Sequence, residues 1–328
     1  MDKLIKRINQ WGTERFPFLL LIDFEMDETL ALPLSEVDPN HISYRFNGQT
    51  NSQAIIKEPP SLIWEPTFPT KNQYLKAFDR VQKGLSRGDS FLTNLTFPTE
   101  IQTNWDLKTV FDQTLAPYKL WWKDRFTVFS PESFVQIKNN RIFSYPMKGT
   151  SPTYLPKQLL LDNDKEKAEH ATIVDLIRND LSMVAKKVRV DRYRYLDKIH
   201  TNKANLWQTS SQISGLLPNN YHKNLGDIIF KLLPAGSISG APKRKTLNII
   251  KQAEQQKRGF YTGVAFLWNG YTLDSCVLIR FLEKTAKNKK YWSGGGITAY
   301  SNWEEEYKEL KEKVYLPIRI KKLHNYNN

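Results

Sequence analysis

Lys148 stands in the run Pro146-Met147-Lys148-Gly149-Thr150, at the expected turn after a strand. A lysine there is usually solvated. If it is desolvated, its pKa falls and its amine can act as base or nucleophile. Two acidic stretches accompany it. One carries Glu166, Glu169, Asp175 and Asp180, the other Glu304, Glu305, Glu306 and Glu309. Glu169 and Asp180 share a helix face but lie roughly 16 Å apart along its axis, too far to bind one ion together. One carboxylate from each helix, with waters and substrate oxygens, is the usual way to hold Mg2+. An ordinary salt-bridged surface has the same composition. Two glycine-containing loops complete the set. The run 234–243 leads into a helix start, which offers N–H groups and a positive dipole end to an anion. It lacks the Lys-Ser/Thr ending of a Walker A loop. Ser293-Gly294-Gly295-Gly296-Ile297 is expected to follow a strand and to donate backbone N–H groups to a carboxylate.

These groups need a scaffold. Residues 16–24 read as a strand. Residues 71–88 read as an amphipathic helix, with Leu75, Phe78, Val81 and Leu85 at helical spacing. Residues 118–145 alternate apolar and polar side chains and break at Asn139-Asn140, which predicts paired strands. A long helix is expected over 164–185, capped by Asp164. Another begins at Pro242. Residues 259–282 read as strands, and Tyr291-Trp292 begins another. Ser301-Asn302-Trp303-Glu304 has the form of a capping box that opens a last helix. Without a regular βαβ alternation, the class is α+β. No repeat or flexible linker divides the chain, so residues 1–328 are expected to form one domain.

Composition narrows the function. The 328 residues are 40% hydrophobic and 25% charged, which places the chain with folded globular proteins. The lone cysteine, Cys276, rules out an intrachain disulfide; in its apolar run it reads as a buried strand residue. The N-terminus shows no signal peptide and no span long enough for a bilayer, so a cytoplasmic location and no membrane partner are expected. A net charge of +14 could reflect nucleic-acid binding, steering of a small anion, or a lysine-rich surface. The basic residues are scattered apart from 284–290 and Lys321-Lys322, and no nucleic-acid motif accompanies them. A solvated basic surface fits best and nucleic acid is not an expected partner.

Taken in order, the segments resemble the chorismate-binding enzyme family, which includes anthranilate, isochorismate, salicylate and aminodeoxychorismate synthases. The matching blocks are Asn94-Leu95-Thr96, Ser130-Pro131-Glu132-Ser133-Phe134, residues 146–150, 165–184, 234–243, 258–263, Ile279-Arg280 and 294–309. Together they cover about residues 75–316. The resemblance implies a large chorismate-binding domain of packed antiparallel sheets flanked by helices, with residues 1–70 a shortened N-terminal portion. It implies Mg2+ as cofactor, held by Glu169 and Glu309. Tyr261, Arg280, Ser237, Thr150 and the amides of Gly295 and Gly296 would cradle the substrate's carboxylates. Glu132 would be the general acid/base and Lys148 the covalent nucleophile. Lysine at this position resembles the aminodeoxychorismate-forming members, whereas anthranilate and isochorismate synthases resemble Pro-hydrophobic-Ala-Gly-Thr.

The expected reaction is amination of chorismate with ammonia. Anthranilate or isochorismate formation is the alternative within the family. Gln208 stands where anthranilate synthases resemble a histidine, which speaks against the first of these. Ser133 and Thr153 occupy positions where the family often has arginine. No glutaminase nucleophile is recognisable, so ammonia is expected from solution or from a separate glutamine amidotransferase subunit. From other classes, a basic nucleic-acid binder and a catalytically silent partner-binding scaffold remain as alternatives. Intact Lys148, Glu132, Glu169 and Glu309 argue against the scaffold.

Overall fold

The computed structural model describes residues 1–53, 58–200 and 205–318; Lys321-Lys322 lie outside them. Two antiparallel sheets, each of nine strands among the described residues, carry the fold. In the first the order is β11 (Met147–Pro152), β13 (Asn205–Leu216), β10 (Arg141–Ser144), β9 (Gln136–Lys138), β16 (Leu273–Val277), β15 (Val264–Trp268), β1 (Phe18–Ile22) and β2 (Thr29–Pro33), with β12 (Lys186–His200) also paired to β13. In the second it is β14 (Gly240–Ala241), β6 (Leu92–Gln102), β18 (Lys289–Ile297), β17 (Phe281–Lys284), β8 (Phe126–Ser130), β7 (Tyr118–Trp122), β3 (Ile42–Phe46) and β4 (Gln49–Thr50), with β5 (Glu65–Thr67) paired to β6.

The sheets pack face to face, and helices cover their outer sides. The strand β1 shows why. Phe18, Leu20 and Ile22 enter a core with the helices α1 (Asp2–Thr13), α5 (Asp164–Ser182) and α6 (Leu225–Leu232). Leu19 and Leu21 point the other way, onto Tyr44, Phe46 and Leu120 of the second sheet. A strand buried on both faces reads as a continuous apolar run, as residues 16–24 do. Beyond the second sheet, Leu95 and Ile297 meet α2 (Lys71–Ser86), α8 (Lys243–Glu254) and α9 (Trp303–Glu312). The short helices α4 (Lys157–Leu161) and α7 (Gly236–Ser239) lie at the β11 and β14 edges, and α3 (Leu107–Gln113) lies across β7, β8 and β17. The class is therefore α+β, with two antiparallel sheets flanked by helices.

Several local expectations shift. The cap of α5 is Asn163, whose side chain accepts from Glu166 N at 3.0 Å; Asp164 is already helical. The cap of α9 is Asn302, which accepts from the amides of Glu304 and Glu305, while Ser301 Oγ donates to Glu306 at 2.8 Å. No Ser301–Glu304 capping box forms. The stretch 118–145 does not stay in one sheet. β7 and β8 pair in the second, and β9 and β10 pair in the first through a turn where Asn139 and Asn140 have φ of 52° and 56°. The helix α2 stops short of Gly88, whose φ is +73°.

Candidate functional site

Between the two sheets opens a cavity of about 540 Å3, and every one of the ten residues assigned from sequence lines it: Lys148, Glu132, Tyr261, Arg280, Ser237, Gly295, Gly296, Thr150, Glu169 and Glu309. They come from β11, β18, α5, α7, α9 and the loops after β8, before β15 and before β17.

Lys148 sits in β11, not in a turn. Its register with Thr209 is followed by a bulge that leaves Gly149 unpaired, with φ of +69°. Thr209 Oγ1 donates to the Lys148 carbonyl and pins the strand there. The ammonium Nζ lies 2.9 Å from Glu169 Oε2. Burial pulls its pKa down, but the charge of Glu169, with Glu309 and Glu166 behind it, outweighs burial, and the net direction is upward. The expectation of a depressed lysine is thus reversed: carboxylates across the cavity hold this amine in its charged form.

Glu132 behaves oppositely. Burial raises its carboxyl above the usual range, opposed by a hydrogen bond donated by Ser237 Oγ at 2.7 Å and by the charges of Lys148 and Arg280. A carboxyl so placed holds a proton to higher pH than usual and can deliver it. Tyr261 is 4% exposed, with its ring stacked on Trp292 at 5.3 Å; burial pushes its hydroxyl pKa up, so it stays protonated as a donor. Arg280 adopts φ of +54°, a costly backbone for a non-glycine residue, and its guanidinium lies over the Tyr315 ring. Thr150 is exposed at the margin.

The triple glycine lies inside β18 instead of following it. Gly294, Gly295 and Gly296 pair with Thr96, Leu95 and Asn94 of β6. A Cβ on Gly295 would meet Glu306 Oε2 at 3.3 Å and Glu309 Oε1 at 3.7 Å, so the glycine keeps the space before those carboxylates open. Among the described residues no three His, Cys, Asp or Glu side chains form a ready-made metal cage. The donors are all hard oxygens, however, and Mg2+ commonly takes only one or two protein carboxylates. The residues present therefore fit Mg2+, with Glu169 and Glu309 as the carboxylates that would hold it.

Lys313 is a lining residue the sequence reading missed. It donates to Glu309 Oε1 at 2.6 Å and to Gly294 O at 2.8 Å. Its spacing of four from Glu309 on the expected last helix was the available signal. Asp180, the other acid of α5, is engaged elsewhere, 2.9 Å from Lys243 Nζ.

A polar cavity with an amine, a raised carboxyl and facing carboxylates defines a small-molecule site of catalytic type. The chain belongs to the chorismate binding enzyme family, whose model matches residues 28–319, and that family acts on chorismate. An uncharacterized PabA-like protein of Pasteurella multocida is 50% identical over 321 residues, covering 97% of this chain and 99% of its own length. Aminodeoxychorismate synthase component 1 of Salmonella typhimurium is 28% identical, over 91% of this chain and 67% of its own. Among solved structures, MenF, the menaquinone-specific isochorismate synthase of Escherichia coli, matches with a TM-score of 0.71 at 15% identity, over 95% of this chain and 80% of that one, and so supports the fold alone. Among the described residues no helix is long and apolar enough to cross a membrane.

Proposed function

We propose that the protein aminates chorismate to 4-amino-4-deoxychorismate through a covalent bond to Lys148, for 4-aminobenzoate and folate synthesis in the cytoplasm. The observation that carries this reading is the amine of Lys148 inside the cavity, on the same lining as the raised carboxyl of Glu132. Lys148 first gives a proton from its ammonium to water; its neutral nitrogen then bonds to C2 of the ring, the double bonds shift, and the C4–O bond breaks. Glu132 gives the departing hydroxyl its proton, so that it leaves as water. Ammonia then bonds to C4 as the C2–N bond breaks, and the lysine leaves as an amine. Mg2+, when bound, supplies positive charge against the ring carboxylate. Arg280, Tyr261, Ser237, Thr150 and the amide of Gly296 hold the substrate's oxygens, while the expected role of the Gly295 amide gives way to its ladder pairing with Leu95. Ammonia comes from solution or from a separate glutamine amidotransferase subunit, as the component naming of the Salmonella relative suggests.

Mass spectrometry of the protein with chorismate and Mg2+ but no ammonia tests this directly. An adduct on the peptide carrying Lys148 is expected, and Lys148→Ala should abolish both the adduct and amination. Turnover unchanged in that variant removes the covalent step. Products with ammonium separate the alternatives: anthranilate has lost the pyruvyl ether, and isochorismate contains no new nitrogen.

A further inference from the structure

The charges around the cavity do not balance. Among the described residues, Glu132, Glu166, Glu169, Glu306, Glu309 and Glu312 line it together with three cations, Lys148, Arg280 and Lys313. Even with Glu132 protonated, five carboxylates face three cations. An anion entering such a space meets net repulsion unless more positive charge arrives first. The two carboxylates assigned to Mg2+ are also already covered. Lys148 Nζ lies 2.9 Å from Glu169, and Lys313 Nζ lies 2.6 Å from Glu309.

We propose that Lys148 and Lys313 are tethered placeholders for the divalent cation. Metal loading displaces both ammonium groups from Glu169 and Glu309, and that displacement frees the Lys148 side chain to reach the ring. The inference rests on the reading of those two glutamates as the metal ligands. A carboxylate oxygen about 2 Å from Mg2+ cannot also keep an ammonium head on at hydrogen-bond distance without placing three positive charges side by side. The cavity supplies space for the exchange, and Lys148 Nζ lies over Gly296, where a Cβ would already be in contact with it at 3.8 Å. Without metal, the lysines spare α5 and α9 uncompensated carboxylates facing the same space. With metal, the nucleophile is released only in a site already charged to accept an anion. This couples cofactor loading to the availability of the amine.

Calorimetric titration of the full chain with Mg2+ alone tests the exchange. Lys148→Met and Lys313→Met should each bind Mg2+ more tightly than the wild type, on the order of tenfold, because an internal competitor is gone. Lys148→Arg, which keeps a cation on Glu169, should bind no more tightly than the wild type. Thermal unfolding of each variant with and without Mg2+ checks the same order on folded protein: the metal-induced rise in Tm should be larger for the methionine variants. Wild-type protein that binds Mg2+ as tightly as Lys148→Met, or more tightly, overturns the placeholder role and leaves the ligand assignment standing. Absence of binding in all four proteins overturns the ligand assignment and the inference with it.

Discussion

His170 has no exposed surface, and its Nε2 lies 2.7 Å from Ser211 Oγ, which also accepts from Arg194 N at 2.9 Å. That contact suits a neutral imidazole. Burial first, then the charges of Arg194 and Lys148, push its pKa down to about 4. The unfolded imidazole takes a proton near its ordinary 6.5, while the folded one resists until about 4. Stability is therefore complete above the unfolded value and is lost as pH falls through that window. By pH 5 the loss is about 2 kcal/mol. Urea unfolding of the wild type and of His170→Gln at pH 7.5 and pH 5 should show this extra acid loss only in the wild type. A second titration concerns Glu132. If its protonated form releases the hydroxyl, kcat falls as pH rises through its elevated pKa. The hydrogen bond from Ser237 lowers that pKa, so Ser237→Ala should move the alkaline limb of the kcat profile to higher pH. A limb that stays in place would assign the proton to another group.

At the scale of elements, the three glycines of β18 divide into two kinds. A Cβ on Gly294 would fall 2.3 Å from Leu95 O and 2.7 Å from Thr96 Cγ2, so the close approach of β6 requires glycine there. Gly295 faces the cavity, with side-chain atoms no nearer than 3.3 Å. Gly294→Ala should lower stability by roughly 1–3 kcal/mol through forced strand displacement. Gly295→Ala should fold near-normally and lose ligand affinity. Paired Tm and chorismate-binding measurements distinguish them, and equal Tm losses would erase the division. The sequence showed the glycines but placed them after the strand, because glycine normally interrupts strand patterns. The same physics explains the hairpin β12–β13, which pattern reading did not find. β13 buries Thr209, Ser210, Ser211 and Ser214, so its inward face is polar; β12 alternates at Val188-Arg189-Val190, but register shifts between Val190 and Arg192 and again before Tyr195 break the period. By contrast, α2 was legible because it buries apolar side chains at helical spacing, and β1 because its run is apolar on both faces. The two misplaced caps lie next to residues equally able to cap, Asn163 beside Asp164 and Asn302 beside Ser301. The ten site residues came from ordered family blocks; Lys313 lay just past the last one.

At the scale of the whole molecule, one buried ion pair ties the sheets together behind the cavity. Arg258 and Glu254 are each 1% exposed at the side chain and 2.6 Å apart. Glu254 also accepts from the amide and hydroxyl of Thr96 in β6. Arg258 donates to Asn94 O at 2.7 Å and Ile238 O at 3.0 Å, and its own amide donates to Glu25, just beyond β1. Asn94, Ile238 and Thr262, which Arg258 also contacts, line the cavity. Breaking one partner strands the other charge, so Arg258→Met or Glu254→Leu alone should cost about 3–5 kcal/mol. The double variant removes both charges and should lose much less than the sum, leaving mainly the cost of the unpaired carbonyls and of Thr96. Its site would be folded but less rigidly framed, so KM for chorismate should rise more than kcat falls. Strictly additive losses in the cycle would mean that the two groups act independently and that the wall of the cavity is held by the strands alone.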